Sequence, residues 1–216
     1  MNALDLVGVT KCWDELTVLD GVDLTVEPGQ IVRVGGDNGA GKTTLLRIAT
    51  GIVVPDAGSV TLGELRPDRD RRSYHRRLGF LAAGDRGLYA RLSVRQNLEF
   101  AAGIAFLRGR RSHDAVAGAI DRFGLTPFAE RRVERLSMGQ RQRVRLAMTL
   151  LHTPDLVLLD EPRTSLDESG VELLANALED VTRRGGAALW CSPTADDAVL
   201  PYDRAYELHA GKLRPW

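Results

Sequence analysis

The 216-residue sequence predicts an α/β fold: a parallel-sheet core, a strand-rich beginning, and a helical lobe inserted before the core resumes. Three observations carry this. The first third breaks into short apolar runs separated by turn residues. The middle shows helical periodicity opened twice by capping boxes. The last third alternates wholly apolar runs with an amphipathic helix, and strand–helix–strand alternation requires parallel neighbours. The expected division is residues 1–85, 86–152 and 153–216 within a single domain of 1–216.

Strands are expected at Leu4–Val9, at Thr17–Val26 around Leu19, Val22, Leu24 and Val26, and at Gln30–Gly35. Glu27-Pro28-Gly29 places proline and glycine where a turn wants them. A helix begins near Gly41 and runs through Leu45, Leu46 and Ile48 to Gly51, a residue suited to end it. The turn Pro55-Asp56-Ala57-Gly58 leads into a strand at Ser59–Leu62, and Leu78–Ala82 forms another. Ser93 with Gln96, and Ser137 with Gln140, each fit a capping box. A further helix spans Asp114–Phe123. Val144, Ala147, Met148 and Leu151 fall on one face of the helix after Ser137. Leu156-Val157-Leu158-Leu159 is the continuous apolar run of a strand covered on both sides. Val171, Leu174, Leu178 and Val181 stripe the helix after it. Ala187–Cys191 is the next buried strand, and Arg204–Leu208 with Lys212–Arg214 form a terminal pair.

Composition narrows the function classes. Lys+Arg and Asp+Glu both number 29, so no global field draws the chain to nucleic acid or anionic lipid. Arg66, Arg69, Arg71, Arg72, Arg76 and Arg77 crowd one segment, but Asp68 and Asp70 dilute them into a solvated face or loop. No nucleic-acid partner is expected. Cys12 and Cys191 lie far apart without metal-ligand spacing, which suits buried thiols in a reducing compartment. The longest apolar run, Phe100–Leu107, has eight residues, against the ~20 that a spanning helix needs. No secretory signal is visible, so the chain reads as cytosolic, with any membrane role coming through a partner.

Gly36-Asp37-Asn38-Gly39-Ala40-Gly41-Lys42-Thr43 stands between an expected strand and helix, the setting of a phosphate-binding loop. Glycines let successive amides point at phosphate oxygens, and the helix N-terminus adds partial positive charge. Lys42 reaches the β- and γ-phosphates of a nucleotide, and the Thr43 hydroxyl ligates Mg²⁺. Asp160 ends the apolar strand, where α/β sheets gather ligands, and is placed to hold the metal. Glu161 follows and would orient and deprotonate an attacking water.

Leu136-Ser137-Met138-Gly139-Gln140, followed by Arg141-Gln142-Arg143-Val144, resembles the signature of ABC ATPases, with Met138 replacing a glycine. Order and spacing of loop, signature and Asp160-Glu161-Pro162 match that family over nearly the whole chain. The resemblance implies a P-loop NTPase (RecA-like) core with an N-terminal antiparallel β subdomain and an inserted α-helical subdomain. It implies ATP and Mg²⁺, bound by Gly36 to Thr43 together with Thr44. It also implies a second ABC ATPase domain, whose Ser137, Met138, Gly139 and Gln140 close over the γ-phosphate held by the first. Trp13 sits where the family stacks an aromatic on adenine; the alternative is a packed strand-end residue. Thr164-Ser165-Leu166-Asp167 resembles the loop that crosses the dimer interface, although Asp167 equally suits a helix N-cap.

Two family residues are missing. No glutamine occurs in Phe80–Arg86, where Asp85 could substitute as an oxygen ligand, and the position of the γ-phosphate histidine holds Pro193. Proline offers neither side-chain donor nor amide. His209 lies too late in the chain to substitute. The resemblance is to small exporters with a separate permease, docked near Leu88, Tyr89 and Phe100, at the cytoplasmic face of the membrane. Two other readings stay open: a soluble ABC ATPase outside transport, and a regulatory ATP-binding subunit with little turnover.

Overall fold

The computed structural model describes residues 3–84, 86–193 and 200–216. In chain order its elements are β1 (Leu4–Trp13), β2 (Leu16–Val26), β3 (Ile31–Gly35), α1 (Lys42–Ala49), β4 (Ala57–Thr61), α2 (Arg71–Arg76) and β5 (Leu78–Leu81). There follow α3 (Val94–Ile104), α4 (Arg110–Arg122), α5 (Met138–Leu150), β6 (Leu156–Asp160), α6 (Glu168–Arg183), β7 (Ala187–Cys191), β8 (Arg204–His209) and β9 (Lys212–Pro215). One antiparallel sheet has the order β2-β1-β4; the other has the order β5-β6-β7-β3-β8-β9. All neighbours in the second sheet are parallel except β8 and β9.

The larger sheet is covered on both faces, which explains the unbroken apolar run of β6. Val157 and Leu159 join a cluster with α3, α4, α5 and α6. Leu156 and Leu158 join a second cluster with α1 and the antiparallel sheet. All four side chains are fully buried, each stabilising the fold by roughly 1.5–3 kcal/mol relative to exposure. The helices α3 to α5 stand between β5 and β6 in sequence, as the expected insert. Both capping boxes close in full: Gln96 N–H donates to Ser93 Oγ at 3.2 Å and Ser93 N–H to Gln96 Oε1 at 2.9 Å. The second pair, Ser137 and Gln140, repeats this at 3.1 and 3.2 Å.

The structure corrects two expectations and refines a third. The arginine-rich segment is solvated as expected, with Arg69, Arg71, Arg72, Arg76 and Arg77 exposed, but it is not all loop. Its residues Arg71–Arg76 form a short helix anchored by Tyr74, which is fully buried and donates to Ala49 O at 2.5 Å. One apolar residue among six is too faint a period to register in sequence. Helix α4 starts four residues before Asp114, because Gly109 (φ 55) turns the chain there. Cys191 is buried, but Cys12 is only half-buried.

His152 illustrates how burial acts on charge here. Its Nε2 lies 3.1 Å from Leu78 O, and burial holds its pKa below the ordinary value, partly opposed by that carbonyl. The unfolded chain therefore takes up the proton first as pH falls, so stability declines from about pH 6.5 downwards. Urea midpoints measured between about pH 7.5 and 5.5 should fall, and His152→Gln should flatten that slope. An unchanged slope would place the titration elsewhere.

Candidate functional site

The loop Gly36–Gly41 leaves the end of β3 and enters α1. Gly36, Gly39 and Gly41 have φ of 145°, 84° and 106°. At two of them a side chain has no room. A Cβ on Gly36 would lie 2.4 Å from Leu208 O, and one on Gly41 would lie 2.8 Å from Val18 Cγ1. Glycine at the N-cap also leaves α1 without a side-chain cap, so its first-turn amides stay available to an anion. Asp37, Asn38 and Gly39 form the exposed rim, Ala40 closes a turn onto Asp37 O at 3.1 Å, and Thr44 is half-buried in the first turn.

Lys42 is 6% exposed and donates to Gly36 O at 2.6 Å and Asp37 O at 2.8 Å. Phosphate oxygens bind an ammonium more strongly than these neutral carbonyls do, so the lysine is held where an anion would recruit it. Thr43 Oγ1 donates to Asp160 Oδ2 at 2.8 Å, and Asp160 is 2% exposed. The structure thus joins the two expected metal residues, although 117 positions separate them. One hydroxyl and one carboxylate suit Mg²⁺, which keeps waters and takes its other oxygens from phosphates. Among the described residues no cluster of three or more His, Cys, Asp or Glu side chains could hold a metal unaided.

Glu161 has φ 49°, a left-handed conformation that costs roughly 1–3 kcal/mol in a residue with a side chain. Its amide donates to Cys191 O at 3.0 Å, and its carbonyl accepts from Thr164 N at 3.2 Å. Among the described residues no hydrogen bond or ion pair ties down its half-buried carboxylate. Burial, and next the Asp160 carboxylate, push the Cys191 thiol well above its ordinary range, so this neighbour stays protonated.

Ser137 is the N-cap of α5, with Met138, Gly139 and Gln140 as its first residues. Met138 is 66% exposed, so the replaced glycine sits where a side chain meets only solvent. Gly139 differs: a Cβ there would lie 2.7 Å from Ser165 O. Asp167 is the N-cap of α6, accepting from Gly170 N at 2.9 Å. Arg143, followed by that amide, holds its carboxyl below the ordinary carboxylate range. Trp13 ends β1, 49% exposed, with Lys11 Nζ 4.8 Å from its ring centroid. Such exposure does not fit a packed strand end. The same hairpin brings Val18 against Gly41.

A family model described as "ABC transporter" matches residues 19–164. The chain belongs to the ABC transporter ATP-binding family. It is 40% identical to "Cytochrome c biogenesis ATP-binding export protein CcmA 2" of Salmonella paratyphi A, over 86% of this chain and 89% of that protein. It is 34% identical to "Fe(3+) ions import ATP-binding protein FbpC 2" of Rhodococcus jostii, over 98% of this chain and 61% of that protein. The solved "Structure of ATP binding subunit of ABC transporter" superposes with a TM-score of 0.90 at 23% identity, over 99% of this chain and 90% of that one. ABC ATPases hydrolyse ATP and pair with membrane permeases.

Against this family pattern the departures stand out. Pro193 follows β7 at a bend, half-buried. Asp85 lies outside the described residues. His209 is exposed in β8, yet Leu208 beside it abuts Gly36, because β8 pairs with β3. The motifs gave no notice of Arg145, which is buried and bonded to Gln142 on the same helix. The available signal was its spacing of three from Gln142.

A groove of about 820 Å³ separates α2 and β5 from α3 and α5. Arg71, Arg72, Arg76 and Arg86 line its basic side; Phe80, Ala101, Ile104 and Phe106 line its apolar side. Beside it Tyr89 and Phe100 meet edge to face at 4.7 Å. The expected docking residues divide: Tyr89 and Phe100 are 50% and 42% exposed, whereas Leu88 packs on the helical core. Asn97, fully buried, holds Tyr89 by accepting from its amide at 2.8 Å and donating to its carbonyl at 3.2 Å.

Proposed function

We propose that this ATPase subunit powers export through a separate membrane permease, working in pairs at the cytoplasmic face of the membrane. Lys42 and the amides of Gly36 to Thr44 hold the phosphates of ATP. Thr43 and Asp160 hold magnesium, which offsets phosphate charge when bound. Glu161 orients and deprotonates the attacking water, and Trp13 stacks on adenine. A second ATPase domain, identical or homologous, faces the first and supplies Ser137, Met138, Gly139 and Gln140, with Asp167 at the junction. Two features support this pairing. Loop and signature are both helix-start anion sites, yet among the described residues no hydrogen bond joins them.

The observation that carries the coupling to a permease is the exposed strip of Tyr89, Phe100, Ile104 and Phe106 beside the groove. Contiguous apolar surface with a polar rim marks an interaction site. Among the described residues no helix is long and apolar enough to cross a membrane, so the membrane path belongs to the partner. Export, rather than import, rests on the greater likeness to the export protein. Tyr89→Asp places a charge in the strip. It should abolish transport in reconstituted vesicles while the isolated subunit keeps its ATPase rate, and intact transport would discard the docking site.

A second reading is favoured by Pro193 and the missing glutamine. Here the site turns over slowly, and the subunit serves mainly by lending its signature to a different ATPase partner. Phosphate release measured with the partner present separates the two.

A further inference from the structure

Behind the docking groove, buried hydrogen bonds lead to the residue after Glu161. Arg145 stands three positions beyond Gln142 on α5, so both side chains leave the helix on one side. Arg145 is 7% exposed and lines the groove. It donates to Ala82 O, to Arg86 O at 3.0 Å and to Gln142 Oε1 at 2.7 Å. Gln142, 5% exposed, donates in turn to Pro162 O at 2.9 Å. Proline has no amide proton, so that carbonyl is the hydrogen-bonding handle of its backbone.

Glu161 is thereby held from both sides. Its own amide is fixed to Cys191 on β7, and the carbonyl of the next residue is fixed to α5. A residue at φ 49° returns to ordinary backbone angles unless its neighbours prevent it. Arginine suits the task, because a planar fork of five donors can serve three acceptors from two segments at once. Two of those acceptors, Ala82 and Arg86, lie in the stretch where the family's glutamine is missing.

We propose that Arg145 is a positioning residue for hydrolysis. Through Gln142 it fixes the backbone carrying Glu161, and it ties that backbone to the Ala82 and Arg86 carbonyls beside the groove. The proposal rests on Glu161 being the residue that activates water.

Arg145→Met keeps an unbranched apolar stem and removes the donors. It should lower kcat about tenfold or more, while KM for MgATP stays within about twofold, because the phosphate loop is untouched. Arg145→Lys should recover part of kcat. Gln142→Met should lower kcat similarly, and the double variant should be no worse than the more severe single, since both act through one contact. Additive losses, unchanged kcat, or a rise in KM alone would overturn the proposal. If Arg145→Met does not fold, Arg145→Lys and Gln142→Met carry the kinetic test.

Hydrogen exchange across residues 160–166 gives an arm independent of turnover. Faster exchange there in Gln142→Met, with the phosphate loop unchanged, supports the tie, and unchanged exchange overturns it. Full turnover by Glu161→Gln would instead strike the role of Glu161, leaving the exchange result to judge the tie.

Discussion

Glu161→Gln should cut ATP turnover by about 10²–10⁴-fold, the range of a positioned general base, while MgATP binding stays within about twofold. Glutamine keeps the shape and hydrogen-bonding reach of glutamate but cannot take a proton. The structure makes the test clean, because among the described residues the Glu161 carboxylate anchors nothing. What fixes the residue is its backbone, through Cys191 and Thr164, and the substitution leaves both bonds in place. A loss in the middle of the range, about 10³-fold, corresponds to ~4 kcal/mol of transition-state stabilisation. Phosphate release with the natural partner present is the measurement. Turnover within about threefold of wild type would remove Glu161 from the chemistry.

Lys42→Ala acts one step earlier. It should raise the dissociation constant for MgATP by about 10- to 100-fold, since a charge-assisted hydrogen bond contributes roughly 1.5–3 kcal/mol and each 1.4 kcal/mol is tenfold. Lys42 bridges Gly36 and Asp37 across the loop, so its removal also loosens the loop before any ligand arrives. Equilibrium binding by calorimetry reads the effect, with Thr43→Val as a contrast. The valine variant loses the bond to Asp160 but keeps the ammonium, so its binding defect should depend on magnesium concentration. Tight binding by Lys42→Ala would mean that amides alone form the cradle.

The sequence displayed this architecture where local chemistry and global packing agree. The run Leu156–Leu159 reads as a doubly covered strand because each side chain is wholly buried, two on either face of the sheet. Ser93 with Gln96 and Ser137 with Gln140 are legible because a capping box is complete within four residues. Thr43 was legible through its motif and Asp160 through its place at the end of a buried strand, but their meeting depends on β3 and β6 sharing a sheet. Long-range polar contacts leave no periodic trace. Arg145 reaches Ala82 across 63 positions, and Tyr74 reaches Ala49 across 25; either residue alone looks like surface. Pro193 and Met138 show the converse. Each is conspicuous against the family pattern, yet Met138 meets only solvent in the single subunit.

The chain has three tryptophans, and their placement matters for the laboratory. Arg33, 2% exposed, lies between the rings of Trp190 and Trp216, 5.5 and 5.1 Å from their centroids, with Tyr202 at 5.9 Å. Two of the indoles thus share one guanidinium, while Trp13 lies apart from them at the tip of the β1–β2 hairpin that touches Gly41. Native emission therefore carries one fully buried indole, Trp190, and two exposed ones, Trp13 at 49% and Trp216 at 61%. Titrating the unlabelled protein with ATP analogues, with Trp13→Phe as the blank, turns that asymmetry into a built-in optical probe of the nucleotide cleft.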